Sequence, residues 1–510
     1  MNAQVRQVLD VAIIGAGFGG LSMGLALKRA GREDFVILEQ GESVGGTWRD
    51  NVYPGCACDV PSRLYELREH PNPRWSRIYG QQPEIRRYLD DCSRRSGVHP
   101  HIRFGVAVAD ARWVEDEGAW RLTSTEGEVV RARVVVAATG PLRIPAAPSL
   151  PGRETFRGPV MHTARWDDRV PLVGRRVAVI GTGASAIQVI PRLAETASEL
   201  TVYQRSPPWV LPRGDRPISE RTQAWLTRLP LLARLRRWYL FWKAEIRGSG
   251  LLGNRTILRL AAGVARRHLY RQVEDPELRA ALTPDYEIGC KRVLLSDDYY
   301  PALQKPNVRL VPRAVRAFSS SGLVDADGVE RDHDAVVFAT GFDVSSFVAP
   351  LQVHGRGGRT LADAWRDGAY AYMGIMVPGF PNFGMLLGPN TGLGHNSVVL
   401  MIEAQVDYLM GCLDRMLEGP LEVSDRAMDR FAQEMRTRLS GSVWNQGGCR
   451  SWYLDEEGRN VTLWPGQVTE YQRRTRRVDE RAFTPRPAAA AEAQASSRAS
   501  PDPETAPPSA

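Results

Sequence analysis

One spacing that could do chemistry occurs twice in this chain. Gly15, Gly17 and Gly20 in DVAIIGAGFGG stand at GxGxxG offsets, and Gly181, Gly183 and Ala186 in RRVAVIGTGASA stand at GxGxxA offsets. At that spacing the first glycine makes a tight turn and the second lets backbone approach a pyrophosphate. The third small residue lets a helix pack on its strand, with the helix N-terminus facing the phosphates. The residues that end the following strands differ in charge. About 24 residues past Gly15, FVILE ends on Glu39, a carboxylate suited to ribose hydroxyls; at the same offset from Gly181, TVYQRS carries Gln204 and Arg205, and a guanidinium suits the 2'-phosphate of NADP. Arg205 can also be read as an ordinary surface arginine. With both sites on one chain, the first preferring FAD and the second NADPH, the sequence describes a flavin reductase or monooxygenase.

Two further motifs narrow that reading. GESVGGTWRDNVYPGCACD sets Gly45, Gly46, Trp48, Tyr53, Pro54, Gly55 and Asp59 in the pattern GGxWxxxxYPGxxxD, and FRGPVMHTARWDD sets Phe156, Gly158, His162 and Trp166 in the pattern FxGxxxHxxxW, followed by Asp167. On these residues the chain resembles the class B flavoprotein monooxygenases, and within them the Baeyer-Villiger (type I) branch, over about residues 8 to 475. The related N- and S-oxygenating enzymes usually carry Phe or Tyr where Trp166 stands. The resemblance implies an FAD-containing, NADPH-dependent enzyme that uses O2 to convert ketones to esters or lactones through a flavin peroxide. It implies that Arg292, in GCKRVLL, is the active-site arginine that stabilises the developing anion, with Asp59 orienting it. Lys291 becomes a second candidate for the 2'-phosphate, and His162 a residue that holds linker and cofactor geometry rather than moving protons. Gly46, Thr47, Trp48, Asp59, Tyr65, Ser206, Trp166, Thr340 and Gly341 fall at cofactor-binding positions, and Asn390, His395 and Asn396 at the substrate pocket. Blander readings stay open: Asp59 as N-cap of a helix starting near Val60 and Pro61, Lys291 and Arg292 as a solvated pair, an N- or S-oxygenating enzyme of the same fold, or a non-oxygenating membrane-associated flavoprotein.

The elements that must position these residues give an α/β fold with two Rossmann-like domains and a helical insertion. Residues 1–145 and 346–485 are expected to bind FAD, and 153–207 with 286–345 to bind NADPH. VVVAATG, ending at Gly140, and AVVFATG, ending at Gly341, are buried strands with glycine turns where the chain passes between the two. Residues 208–285 are helical in period and rich in arginine, which also suits peripheral association with an acidic membrane surface. The stretch 486–510 is Ala, Pro and Ser rich and is expected to be disordered. A chain of 510 residues, 43% hydrophobic, has room for two or three cores. Its net charge of +8 is scattered and accompanies no nucleic-acid-binding motif. Six cysteines without CxxC spacing or an HExxH motif argue against a metal site and for a reducing, cytoplasmic setting, with Cys56 and Cys58 as buried small residues. The apolar run Val11 to Leu27 lacks a basic start and cleavage site and reads as strand, turn and helix rather than a signal peptide, and no run is long enough to span a bilayer. A monomer or homodimer is expected.

Overall fold

The β-branched run LDVAII forms strand β1 (Leu9–Ile14), and the small residues after it turn the chain into helix α1 (Phe18–Arg29), which buries Leu21, Met23 and Leu27. Strand β2 (Phe35–Glu39) returns parallel to β1, pairing Ile14 with Leu38. A single turn of helix, α2 (Thr47–Asp50), and helix α3 (Gln82–Arg95) lead to β3 (Ile102–Phe104) beside β2. The meander β4 (Val108–Val114), β5 (Ala119–Ser124) and β6 (Val129–Ala137) extends the sheet on the other side. Its strand order is Gln352–His354, β4, β5, β6, β1, β2, β3, with Phe383–Met385 also paired to β6. The structure, a computed structural model, describes residues 8–455 and 457–484, so the tail expected at 486–510 lies outside the described residues.

A second sheet repeats the plan. Strands β7 (Val160–His162), β8 (Arg176–Ile180) and β9 (Glu199–Tyr203) join Val308–Val311 and Ala335–Phe338 in an all-parallel order Val308–Val311, β9, β8, Ala335–Phe338, β7. Helix α4 (Ala186–Thr196) follows β8 as α1 follows β1. The VMH at the centre of FRGPVMHTARWDD is therefore the edge strand of this sheet. Between β9 and Val308–Val311 of this sheet the chain inserts the helical block, α5 (Glu220–Arg228), α6 (Pro230–Leu251) and α7 (Arg255–Gln272), with Ser219 capping α5 and Asn254 capping α7. Among the described residues no helix is long and apolar enough to cross a membrane, and no cluster of His, Cys, Asp or Glu could hold a metal ion.

Two expectations are corrected. No helix begins near Val60; Pro61 to Leu64 is a tight turn, and the Asp59 carboxylate, instead of capping it, accepts from Arg292. Cysteine usage suggested a reducing setting, and Cys56, Cys58, Cys92 and Cys412 are free and buried, but Cys290 and Cys449 form a disulfide across 159 residues. That separation is closed only by the tertiary fold, so no local spacing announced it.

Candidate active site

Both glycine turns open into one cavity of about 960 Å³. Gly15 (φ +103°) and Gly181 (φ +111°) hold positive backbone angles that a side chain would strain, and a Cβ at either would also meet a carbonyl, Ala138 O at 2.7 Å or Ala339 O at 2.6 Å. Gly20 is required by packing: a Cβ there would sit 1.8 Å from Gly15 O. Gly17 and Gly183 differ, because a Cβ at Gly183 would meet nothing within 4 Å and one at Gly17 only Gly46 Cα at 3.7 Å. No protein atom demands glycine at these two positions, which border the cavity at the starts of α1 and α4. Neither helix has a side-chain cap; the first-turn amides of α1 are left for a ligand, whereas in α4 Ile187 N donates to Gly183 O and Gln188 N to Ser185 O, so there the glycine turn ahead of the helix faces the cavity. The residues present therefore fit two bound pyrophosphates.

The strand ends agree. Glu39 is buried at the end of β2 and lines the cavity; it accepts from Ala16 N (2.7 Å), Gly41 N (2.8 Å) and Arg49 Nη1 (2.6 Å), which fixes its rotamer. Arg205 is exposed at the end of β9, with Ser206 and Lys291 beside it, and all three line the cavity. Lys291 Nζ donates to Ser206 Oγ at 2.6 Å and lies 4.6 Å from the centroid of the Tyr286 ring. Burial and the neighbouring Arg205 cation push the Lys291 ammonium below its usual pKa. Two neighbouring cations, with the Asp285 carboxylate the nearest opposing charge, suit a multiply charged anion.

Asp59 and Arg292 meet on the cavity wall. Arg292 Nε donates to Asp59 Oδ2 at 2.8 Å and Nη2 lies 2.7 Å from the same oxygen in the ion pair, leaving Nη1 outside it. The Asp59 charge outweighs desolvation and holds the guanidinium further above its already high pKa, so it is a fixed cation. Tyr453 is buried nearby, its phenol pushed up to about 12 by burial while the Arg292 cation pulls the other way. Thr47, Trp48, Gly46, Tyr65, Thr340 and Gly341 also line the cavity, with Trp48 Nε1 donating to Tyr65 Oη at 3.1 Å.

Other expected residues stand off it. Gly20 and Ala186 shape the turns from behind. His162, buried on β7, accepts from Ala164 N through Nδ1 (3.0 Å) and lies 3.4 Å from Thr340 Oγ1, so it touches the wall from outside. Trp166 donates to Asp168 at 3.0 Å and packs on the core without reaching the cavity. Asn396 lines it, whereas Asn390 bonds Asn460 O at 3.0 Å and the buried His395 lies against Glu245. Sequence reading missed Arg49 and Gln188. The latter, on α4, accepts from Tyr53 Oη (2.9 Å) and donates to Ala57 O (2.9 Å), tying the second nucleotide turn to the loop that carries Asp59. An i, i+10 arginine after Glu39 was the one available signal.

Burial holds His162 at about 4, with Arg165 adding repulsion, and His333, bonded to Tyr203 Oη at 2.9 Å, at about 4 for the same reason. Both folded values lie below the unfolded value of about 6.5. The unfolded chain therefore binds more protons in this window, and stability is lost as pH falls from about 6.5 toward 4. By pH 5 the loss is about 1–2 kcal/mol per imidazole. Urea unfolding midpoints at pH 7 and pH 5 should show it, and the double variant His162→Gln, His333→Gln should lose that part of the slope; an unchanged slope would assign it to other groups.

The fold and this cavity define a two-dinucleotide flavoprotein oxidoreductase. Residues 12–227 match the family described as Pyridine nucleotide-disulphide oxidoreductase. The chain is 47% identical over 482 residues to a Baeyer-Villiger monooxygenase of Streptomyces coelicolor, covering 94% of this chain and 93% of that protein. It is 44% identical over 477 residues to one of Pseudomonas aeruginosa, covering 93% and 90%. It superposes on the crystal structure of OTEMO in complex with FAD and NADP with a TM-score of 0.84 at 29% identity, covering 94% of this chain and 99% of that one. The chain belongs to the Baeyer-Villiger monooxygenases and is an FAD- and NADPH-dependent monooxygenase. The N- or S-oxygenating reading and the non-oxygenating flavoprotein are not favoured.

Proposed function

We propose that ketone oxygenation takes place beside Arg292, with FAD seated by residues 1–145 and 346–485 and NADPH by 153–207 and 286–345. The observation that carries this reading is the Arg292–Asp59 pair lining the same cavity as both glycine turns. The balanced reaction takes ketone, O2, NADPH and a proton to an ester or lactone, NADP+ and water. When bound, the reduced flavin supplies the electrons and the activated oxygen for the insertion. Arg292 stabilises negative charge developing on the oxygen nucleophile and the ketone oxygen, and Asp59 holds the guanidinium in place before reaction, so no reorganisation is needed at the barrier. Leu387, Leu393, Val398, Ile402 and Leu463 give the cavity an apolar wall that seats the ketone's carbon skeleton and excludes water. A cytoplasmic setting belongs to this reading, supported by the NADPH requirement. Incubation with NADPH, labelled O2 and a panel of linear and cyclic ketones should yield esters or lactones carrying label; stoichiometric NADPH oxidation with unaltered ketone would sink it.

Arg205 should set coenzyme choice. Loss of a charge-assisted phosphate contact costs about 1.5–3 kcal/mol, or roughly ten- to a hundredfold in affinity. Arg205→Ala should raise KM for NADPH by that factor and leave KM for NADH nearly unchanged. An equal effect on both would make the residue structural.

A further inference from the structure

On α6 the large apolar side chains are on the outside. Leu231, Leu235, Trp238, Tyr239, Trp242 and Ile246 recur at helical spacing along one face; Leu231 is 69% exposed, Trp238 62% and Ile246 63%. Trp225 and Leu229, also exposed, lead into that face from the end of α5. The helix is nevertheless docked by its other side. Glu245, Gly248 and Leu251 are buried, and Glu245 accepts from Asn396 Nδ2 at 2.9 Å and from Thr469 N at 3.2 Å. The apolar ridge is thus a second face of a helix that is already anchored.

Its surroundings are predominantly basic, apart from the exposed Glu220 at the start of α5. From Arg221 to Val273 the chain carries twelve arginines and lysines and one acidic residue, the buried Glu245. This surplus of eleven positive charges exceeds the +8 of the whole chain. At helical spacing Arg234 borders one side of the ridge and Lys243 and Arg247 the other. Among the described residues none of these three forms an ion pair, and neither do Arg228, Arg255 or Arg259.

We propose that the α5–α6 face docks the enzyme peripherally on an anionic phospholipid surface, with the ridge lying in the interfacial plane. The ridge from Leu231 to Ile246 is about 22 Å long. Exposed Trp and Tyr with flanking Arg and Lys are the side chains that partition to the lipid headgroup boundary and to negative lipids. A second copy of this chain is a poor occupant, since this face against its own equivalent would oppose like charges. The basic residues run over three helices instead of focusing on one patch, which fits a laterally uniform negative surface better than a discrete acidic site on a protein. The proposal does not depend on the assignment of catalytic roles.

The test uses full-length holoenzyme and two kinds of vesicle, phosphatidylcholine alone and phosphatidylcholine mixed equally with phosphatidylglycerol. Cosedimentation should occur only with the mixed vesicles, weaken in high salt, and bring a blue shift of tryptophan fluorescence. Arg234→Gln, Lys243→Gln and Arg247→Gln together should lower partitioning by about 100-fold, and Trp238→Ser with Trp242→Ser should abolish the blue shift. Both variants should keep wild-type flavin content and turnover of a water-soluble ketone. Equal binding to both vesicles, binding to neither, or mixed-vesicle binding untouched by either variant would overturn the proposal. So would a dimer in sedimentation velocity that the tryptophan variant dissociates, because the ridge would then be an interface between copies.

Discussion

Arg292→Ala should still let NADPH reduce the bound flavin in the absence of oxygen, at close to the wild-type rate, while ester or lactone formation falls by about 10²–10³-fold, the usual cost of losing one preorganised charge-stabilising donor. The two half-reactions draw on different residues. Hydride delivery needs the coenzyme held in place, a role we assign to Arg205, Ser206, Lys291 and the two glycine turns. Oxygen insertion puts negative charge on atoms that the protein must neutralise, and Arg292 is a fixed cation at the cavity wall with Nη1 outside its pair to Asp59. NADPH consumption should therefore continue in the variant but end in hydrogen peroxide, and the measured ratio of peroxide to ester should rise accordingly. Arg292→Lys keeps charge but cannot donate in a planar fork to Asp59, so only part of the activity returns. Ester formation at the wild-type rate in the alanine variant would move the role elsewhere, with Lys291 the first residue to examine.

What was legible in the sequence is what local chemistry encodes. A strand, a glycine turn and a helix occupy about 20 contiguous residues at each site, so spacing alone located the two strand–turn–helix units, and the ends of β2 and β9 carry the different charges read from the sequence. The Arg292–Asp59 pair is different, because its partners are 233 residues apart and meet only when the two sheets dock. The resemblance supplied that pairing; spacing could not. Gln188 was missed for the same reason, since a glutamine on an amphipathic helix is usually a solvated residue and here it is half-buried and hydrogen-bonded to the loop around Tyr53 and Ala57. Periodicity showed that the 208–285 block is helical and two-faced, yet it could not say which face of α6 turns inward. The small and polar side that holds Glu245 and Gly248 is the docked one, and the side richest in Trp and Leu faces outward.

Gly17→Asp should yield a folded protein without flavin, whereas Gly20→Ala should yield little folded protein at all. The contrast follows from what each missing Cβ would touch. At Gly20 it would lie 1.8 Å from Gly15 O, an overlap of backbone atoms that no side-chain rotation relieves, so β1 and α1 cannot keep their packing. At Gly17 it would meet only Gly46 Cα at 3.7 Å, an ordinary contact, and the backbone angles there (φ −85°, ψ −163°) are open to any residue. The fold thus tolerates a side chain at 17, and the site does not, because an aspartate would place bulk and negative charge where a pyrophosphate must approach the first turn of α1. Two added unfavourable effects, steric and electrostatic, each worth about 1–3 kcal/mol, would reduce FAD affinity by roughly a hundredfold or more. The purified variant should be colourless, keep the wild-type far-ultraviolet circular dichroism spectrum, and show no NADPH oxidation until FAD is added in large excess. A normal yellow holoprotein would mean that the first glycine turn does not hold the flavin pyrophosphate, and a Gly20→Ala protein as stable as wild type would mean that the turn and helix do not pack as closely as 1.8 Å implies.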